Sequence, residues 1–198
     1  MFINLKDGRI IELREANPKD SEKIIAFWSK LINDFTSYRL FNYTGKLSKP
    51  DVLENRIKNK EINIDLAISD NYVVGDVIVT IGPKFGIMLQ PHIAEIAYGL
   101  SEEFRGTGLI YAQIFSAVSK IDVKYIMAYV DLENIRSIKI LENLKCEKKA
   151  ELPEFIYDNV KKQLKTLLLY MCNKDLLFSE AQKKIKQVGI NIKDYHII

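Results

Sequence analysis

Cysteine is scarce in this 198-residue chain: Cys146 and Cys172 are the only two. Two cysteines cannot build a stabilising disulfide framework, so a reduced, intracellular chain with two buried apolar thiols is the simpler expectation. Histidine is equally rare, with His92 and His196 alone. Neither stands at ligand spacing from a cysteine or the other histidine, which argues against a transition-metal site and a Ser-His-Asp triad. Nine glycines and five prolines are too few for a long flexible linker or a collagen-like repeat. No apolar run approaches the roughly 18 residues of a membrane span. The N-terminus, Met-Phe-Ile-Asn-Leu-Lys-Asp-Gly, lacks the basic-then-apolar pattern of a secretory signal. Charge of one sign is also missing. Lys and Arg total 29 against 26 Asp and Glu, a net +3, without the clustered excess of a nucleic-acid-binding surface. Together these absences point to a cytoplasmic protein with no nucleic-acid or membrane partner.

What is present is an ordinary globular composition, 47% hydrophobic and 28% charged. At about 150 residues per domain, the length predicts one domain with some excess. Apolar runs at 2–5 and 10–14 flank Lys6-Asp7-Gly8-Arg9, a hairpin signal. Asp20 or Ser21 can cap a helix whose apolar residues (Ile24, Ile25, Phe27, Trp28, Leu31, Ile32) recur at helical spacing. A loop rich in aromatic residues covers 36–48, and a short helix 49–59. The period then changes, with strands at 62–69 and 72–81 joined at Asp70-Asn71 and another at 93–100. Helix 107–120, strand 125–130, helix 135–144, strands 148–152 and 164–172, and a helix at 175–188 follow. The order predicts one mixed sheet with helices on both faces, an α/β (α+β) fold. The strands at 93–100 and 125–130, joined by a helix, should be parallel neighbours in a right-handed crossover.

The stretch from Glu95 to Ile110 is the most informative: strand, polar turn, glycine-rich loop, helix. Gly106 and Gly108 let backbone approach a ligand closely. Free amides and the helix dipole at the start of the following helix favour an anion, so a phosphate-binding turn is the natural functional reading and a plain structural turn the bland one. Neither a Walker loop nor a dinucleotide fingerprint is present. On a period-2 strand Glu95 shares a face with Ala97 and Gly99, opposite Ala94, Ile96 and Tyr98.

Arg105-Gly106-Thr107-Gly108-Leu109 resembles the pyrophosphate loop, R/Q-x-x-G-x-G/A, of the GNAT superfamily of acyl-CoA-dependent N-acetyltransferases. Ile110 stands where that loop ends in a small residue. Other pieces match in order. Leu13-Arg14-Glu15-Ala16 with Asp20 resembles the family's opening strand and cap. Ala67-Ile68 through Val74-Gly75-Asp76-Val77 resembles its central hairpin. Asn134-Ile135-Arg136-Ser137 through Leu141-Glu142-Asn143-Leu144 resembles N-x-x-S-x-x-x-L-E-K-L-G-F, with Lys145-Cys146 replacing Gly-Phe. The resemblance covers roughly 5–172. The opening hairpin and the Asn-x-x-Ser pattern are closest to the ribosomal-protein-alanine acetyltransferase branch.

The resemblance implies a centrally splayed sheet of about seven strands over 1–172, and a helical extension at 173–198. It implies acetyl-CoA as cofactor, with the pantetheine arm along the strand ending at Leu100. Backbone amides of Arg105, Gly106, Thr107, Gly108, Leu109 and Ile110 would hold the pyrophosphate, and Asn134 would bond the pantetheine side. The reaction would be transfer of acetyl to a primary amine, on a small molecule or a peptide N-terminus. Amine attack on a thioester needs a base and a proton for the leaving thiolate. For that implied reaction Glu95 is the best base candidate: among small residues beside a cleft its carboxyl would be partly desolvated and raised in pKa, with a structural glutamate as the alternative. The family's usual tyrosine acid is replaced by Leu141, and Ser137 is the substitute the resemblance offers. A non-catalytic acyl-CoA-binding regulator of the same fold is the competing reading. Tyr38, Phe41 and Tyr43 would wall the acceptor site. Pro153, Glu154, Tyr157 and Asp158 lie in the last strand connection, expected as a solvated loop near it. The isoleucine-rich end (Ile190, Ile192, Ile197, Ile198) would either cover its own core or form a homodimer contact.

Overall fold

The computed structural model describes residues 1–33, 49–85, 88–159 and 161–193. A nine-stranded mixed sheet forms its centre. In chain order its strands are β1 (Phe2–Asn4), β2 (Ile10–Glu15), β3 (Asn63–Ser69), β4 (Tyr72–Ile81), β7 (Ile93–Leu100), β8 (Tyr125–Asp131), β9 (Glu147–Asp158), β10 (Gln163–Asn173) and β11 (Asn191–Lys193). A separate small hairpin contains β5 (Lys84–Phe85) and β6 (Met88–Leu89). The helices are α1 (Ser21–Asn33), α2 (Pro50–Lys58), α3 (Leu109–Val118), α4 (Ile135–Asn143) and α5 (Lys174–Gln187). The spatial order is β11-β1-β2-β3-β4-β7-β8-β10-β9. Within it β7 and β8 run parallel, as the intervening helix requires. The other pairs in this sheet are antiparallel.

Local chemistry sets these elements. Asp70 and Asn71 take φ of 50° and 66°, the left-handed pair that a two-residue hairpin turn requires and Asn and Asp tolerate. The start of α1 differs from expectation. Asn17, rather than Asp20 or Ser21, supplies the cap, in a box around a 3-10 turn at Pro18–Asp20. Asp20 instead accepts from the Asn17 backbone and from both terminal nitrogens of Arg14, at 2.7 and 2.8 Å. A buried charge so paired is tolerated.

Two apolar layers cover the sheet. Ile24, Phe27, Trp28 and Leu31 of α1 join Leu53 and Ile57 of α2 over β3. On the opposite face, Leu109, Ile114, Phe115 and Val118 of α3 meet Val77, Val79, Ile96 and Ile126, with Leu177, Ala181 and Ile185 of α5 in the same cluster. Phe115 and Phe178 stack with ring centroids 4.4 Å apart. Trp28 donates its indole N–H to buried Asp76 of β4 at 2.7 Å, which ties α1 to the central strands.

Three expectations are corrected. Cys146 and Cys172 are buried, but they are joined in a disulfide rather than reduced. Cys146 immediately precedes β9, which runs against the end of β10, where Met171 faces Glu147. Strand pairing brings together thiols 26 residues apart in sequence, a distance no local pattern reads. The cysteine argument for a reducing compartment therefore falls. What stands is that, among the described residues, no helix is long and apolar enough to cross a membrane. Second, Pro153, Glu154, Tyr157 and Asp158 lie within β9, not in a loop. A register shift in the β9–β10 pairing and a φ of 53° at Glu154 let the strand continue past Pro153. Asp158 is buried and accepts from the Lys161 backbone at 2.8 Å. Third, the sheet has nine strands rather than about seven: the eight segments read as strands all join it, and β11 adds a ninth by folding back onto β1. The loop at 36–48, including Tyr38, Phe41 and Tyr43, and the last residues, including Ile197 and Ile198, lie outside the described residues.

The packing of α5 on α3 makes a paired prediction. Leu177 is fully buried and its neighbour Leu176 is 44% exposed. Leu177→Ala should cost about 2–5 kcal/mol in urea unfolding, and Leu176→Ala no more than about 0.5 kcal/mol. Equal losses would mean that α5 does not pack this way.

Candidate active site

β7 and β8 pair at Ile93–Tyr125, Ala94–Ile126 and Glu95–Met127, and no further. β4 stays with β7 as far as Leu100, and β10 stays with β8 as far as Asp131. Past Glu95 the edge of β7 that faces β8 therefore has no strand partner among the described residues, and the sheet opens in a V. Backbone donors and acceptors along such an edge are available to an extended ligand.

The chain leaves β7 through a 3-10 turn at Glu102–Phe104. Thr107 Oγ1 donates to the Phe104 carbonyl at 2.7 Å and accepts from the Leu109 amide at 3.3 Å. Gly106 and Gly108 both have positive φ, 77° and 84°. They differ in surroundings. A Cβ on Gly106 would meet open space, whereas one on Gly108 would sit 2.5 Å from Val188 Cγ2. Among the described residues, the amides of Gly106, Thr107, Gly108 and Ile110 donate no hydrogen bond. They cluster at the N-terminus of α3, where the helix dipole adds attraction for an anion.

A cleft of about 690 Å³ runs from this loop through the V. Tyr98, Gly99 and Leu100 of β7 form one wall, Asn134, Arg136, Ser137, Lys139 and Ile140 of α4 and its cap another, and Arg105 to Tyr111 one end, with Leu31 and Val188 closing it. Among the described residues, Arg105, Arg136 and Lys139 outnumber the single lining carboxylate, Glu102, so the field suits a negatively charged ligand. Asn134 caps α4. Its Oδ1 accepts from the Ser137 amide at 3.2 Å, and its Nδ2 donates to Ser137 Oγ at 2.9 Å. Ser137 accepts at its hydroxyl oxygen and keeps its own proton to donate. The Tyr98 hydroxyl donates to the Ser137 carbonyl at 3.5 Å, and burial raises its pKa above the ordinary phenol value.

Of the candidate residues read from the sequence, Leu100, Arg105, Gly106, Gly108, Ile110, Asn134 and Ser137 line this cleft. Thr107 closes the loop from behind. The side chain of Leu109 is buried in the core, leaving its amide, which already bonds Thr107. Leu141 is also fully buried. Glu95 lies at the apex of the V, on the last paired residue of β7 and outside the cleft lining. It is opposite Thr80 on one side and Met127 on the other. Burial pushes its carboxyl above the usual range. Tyr129 is raised too, by burial and by the charge of Glu95, and its ring stacks on Phe155 at 6.3 Å.

Sequence reasoning missed Tyr111, Arg136, Lys139, Ile140, Leu31 and Val188. Arg136 and Lys139 had a readable signal, two cations three residues apart on the head of a helix. Val188 had none, because it reaches the loop only through the docking of α5.

The architecture is that of the GNAT acetyltransferases. The structure of a GNAT-family acetyltransferase from Streptococcus pneumoniae superposes with a TM-score of 0.69 at 15% identity, over 82% of this chain and 99% of that one. A ribosomal-protein-alanine N-acetyltransferase from Brucella melitensis gives 0.66 at 18%, over 82% and 99%. RimJ of Mycobacterium smegmatis, in complex with CoA-disulfide, gives 0.66 at 14%, over 96% and 93%. No protein-family model and no curated protein sequence matches the chain.

The two glycines should respond differently to substitution. Gly106→Ala should cost about 1–2 kcal/mol, the left-handed backbone penalty alone. Gly108→Ala should add about 1–3 kcal/mol for displacing Val188. Urea unfolding of the two variants measures the difference, and equal losses would contradict the contact.

Proposed function

We propose that the protein is an acetyl-CoA-dependent N-acetyltransferase acting on a primary amine, of a small molecule or a peptide N-terminus. The observation that carries this reading is the unpartnered edge of β7 leading to four uncommitted amides at the head of α3. The edge suits an extended amide-bearing arm, and the amides with Arg105, Arg136 and Lys139 suit a pyrophosphate. The M. smegmatis neighbour with CoA-disulfide supports the same cofactor class. When bound, acetyl-CoA supplies an activated acyl thioester.

The chain's own groups then divide the work. Glu95, half-buried and with no side-chain hydrogen-bond partner among the described residues, has its pKa raised by burial, which makes it a stronger base toward an ammonium or attacking amine. Its carboxylate also attracts the cationic form of the acceptor. Tyr129 and Phe155 provide an aromatic surface beside it, which favours an amine by cation–π attraction. Ser137 holds a proton at Oγ, oriented by Asn134, that a leaving thiolate can take.

Burial of Leu141 favours a second reading, a non-catalytic acyl-CoA-binding protein, because the usual phenol acid is absent. Release of free CoA thiol from acetyl-CoA, followed over a panel of primary amines, separates the two. Amine-dependent release supports the enzyme. CoA binding without release by any amine supports the binding protein.

The base has a defined pH signature. A carboxyl with raised pKa becomes competent only as pH rises through that value, so the rate should climb through a limb above the ordinary carboxylate range. Glu95→Gln should lower kcat by about 10²–10⁴-fold, leave acetyl-CoA affinity unchanged and remove that limb. A loss of rate with the limb intact would take Glu95 out of the proton transfer.

A further inference from the structure

We propose that Val188, delivered by the C-terminal segment, is a positioning residue for the pyrophosphate loop, so that docking of that segment and CoA binding support each other. The inference rests on the cofactor reading above and adds to it a residue far from every family-like motif.

Three observations carry it. First, Val188 is part of the cleft lining, together with Gly108, Arg105 and Gly106. It presses on Gly108 closely enough that no side chain fits there. Gly108 is the N-cap of α3 and has no side chain to close the cap. Thr107 and the Gly108 carbonyl, which accepts from the Tyr111 amide at 3.0 Å, hold the turn from within, and Val188 supplies the packing on Gly108 from outside.

Second, Val188 is itself held firmly. It ends α5 in a Schellman motif: Gly189, at φ 76°, donates to the Lys186 carbonyl, and Ile190 donates to the Ile185 carbonyl, both at 3.1 Å. Ile190 is buried, and Asn191, Ile192 and Lys193 pair with Asn4, Ile3 and Phe2. A chain that needed only to cover α3 could stop at Ile185. This one continues through a fixed turn that points Val188 at the loop and then anchors it as a strand.

Third, the loop is braced from the same edge of the sheet on its other side. Arg9, in the β1–β2 turn, donates to the Glu103 carbonyl at 3.0 Å, and its guanidinium lies 4.1 Å from the centre of the Phe104 ring. β11 joins this same hairpin. Val188 is delivered by the segment that β11 docks on β1, and Arg9 belongs to the β1–β2 hairpin that receives it, so both contacts to the loop meet at one sheet edge. By linkage, a ligand that fixes the loop must stabilise the docked segment to the same extent that the segment strengthens the ligand.

The test uses the full chain with CoA and, separately, pantetheine, which lacks the pyrophosphate. Titration calorimetry gives affinities for wild type, Val188→Ala and Val188→Ile. Hydrogen exchange gives the protection of residues 190–193 with and without CoA. Val188→Ala should weaken CoA by about 5- to 150-fold, leave pantetheine unchanged, and be largely rescued by Val188→Ile. CoA should slow exchange at 190–193 in the wild type, a readout that needs no variant to fold. If wild type binds CoA but exchange at 190–193 does not respond, or Val188→Ala weakens both ligands equally, Val188 is structural only and this inference falls alone. If wild type binds no CoA, the cofactor reading falls, and the inference with it.

Discussion

The parting of β7 and β8 after Glu95 and Met127 is the constraint on which the rest of the site depends. Each strand keeps its outer partner, β4 for one and β10 for the other, so the sheet does not unravel. It opens only between them. The gap leaves a length of β7 backbone without a strand to satisfy it. It also places the N-termini of α3 and α4 on either side of one cleft. A closed sheet would bury the same residues with no room for a ligand.

Holding the gap open needs stiff flanks. On one side the β8–β10–β9 ribbon is cross-linked by Cys146 and Cys172, and Lys165, buried in β10, pairs with Glu133 at 2.5 Å beside Asp131 and Asp158. On the other, Trp28 anchors α1 to Asp76 of β4, the residue opposite Gly99. The chemistry is asymmetric across the sheet. Cations and free amides gather at the α3 and α4 ends. One carboxylate, Glu95, sits at the apex beside Tyr129. One end suits a polyanion and the other an amine.

Much of this was legible in the sequence, because the signals were local. Period-2 alternation at 62–81, the Asp-Asn turn, the glycines before α3 and the Asn-x-x-Ser cap of α4 each act within a few residues of themselves. The misses have a common cause. The disulfide, the pairing of β11 with β1 and the contact of Val188 with Gly108 all join residues brought together by tertiary docking. β9 was cut short because Pro153 normally ends a strand, and only the register shift opposite β10 shows how the strand continues. The apolar face expected of helix 107–120, beginning at Leu109, is the face that packs into the core.

The central claim is that the uncommitted amides before α3 hold a pyrophosphate. Backbone amide chemical shifts of the ¹⁵N-labelled chain, followed during titration with CoA and with pantetheine, test it directly. The account predicts that Gly106, Thr107, Gly108 and Ile110 shift saturably with CoA, and that pantetheine perturbs β7 from Ile96 to Leu100 while leaving those four in place. CoA binding that moves residues elsewhere and leaves these four amides untouched would contradict it.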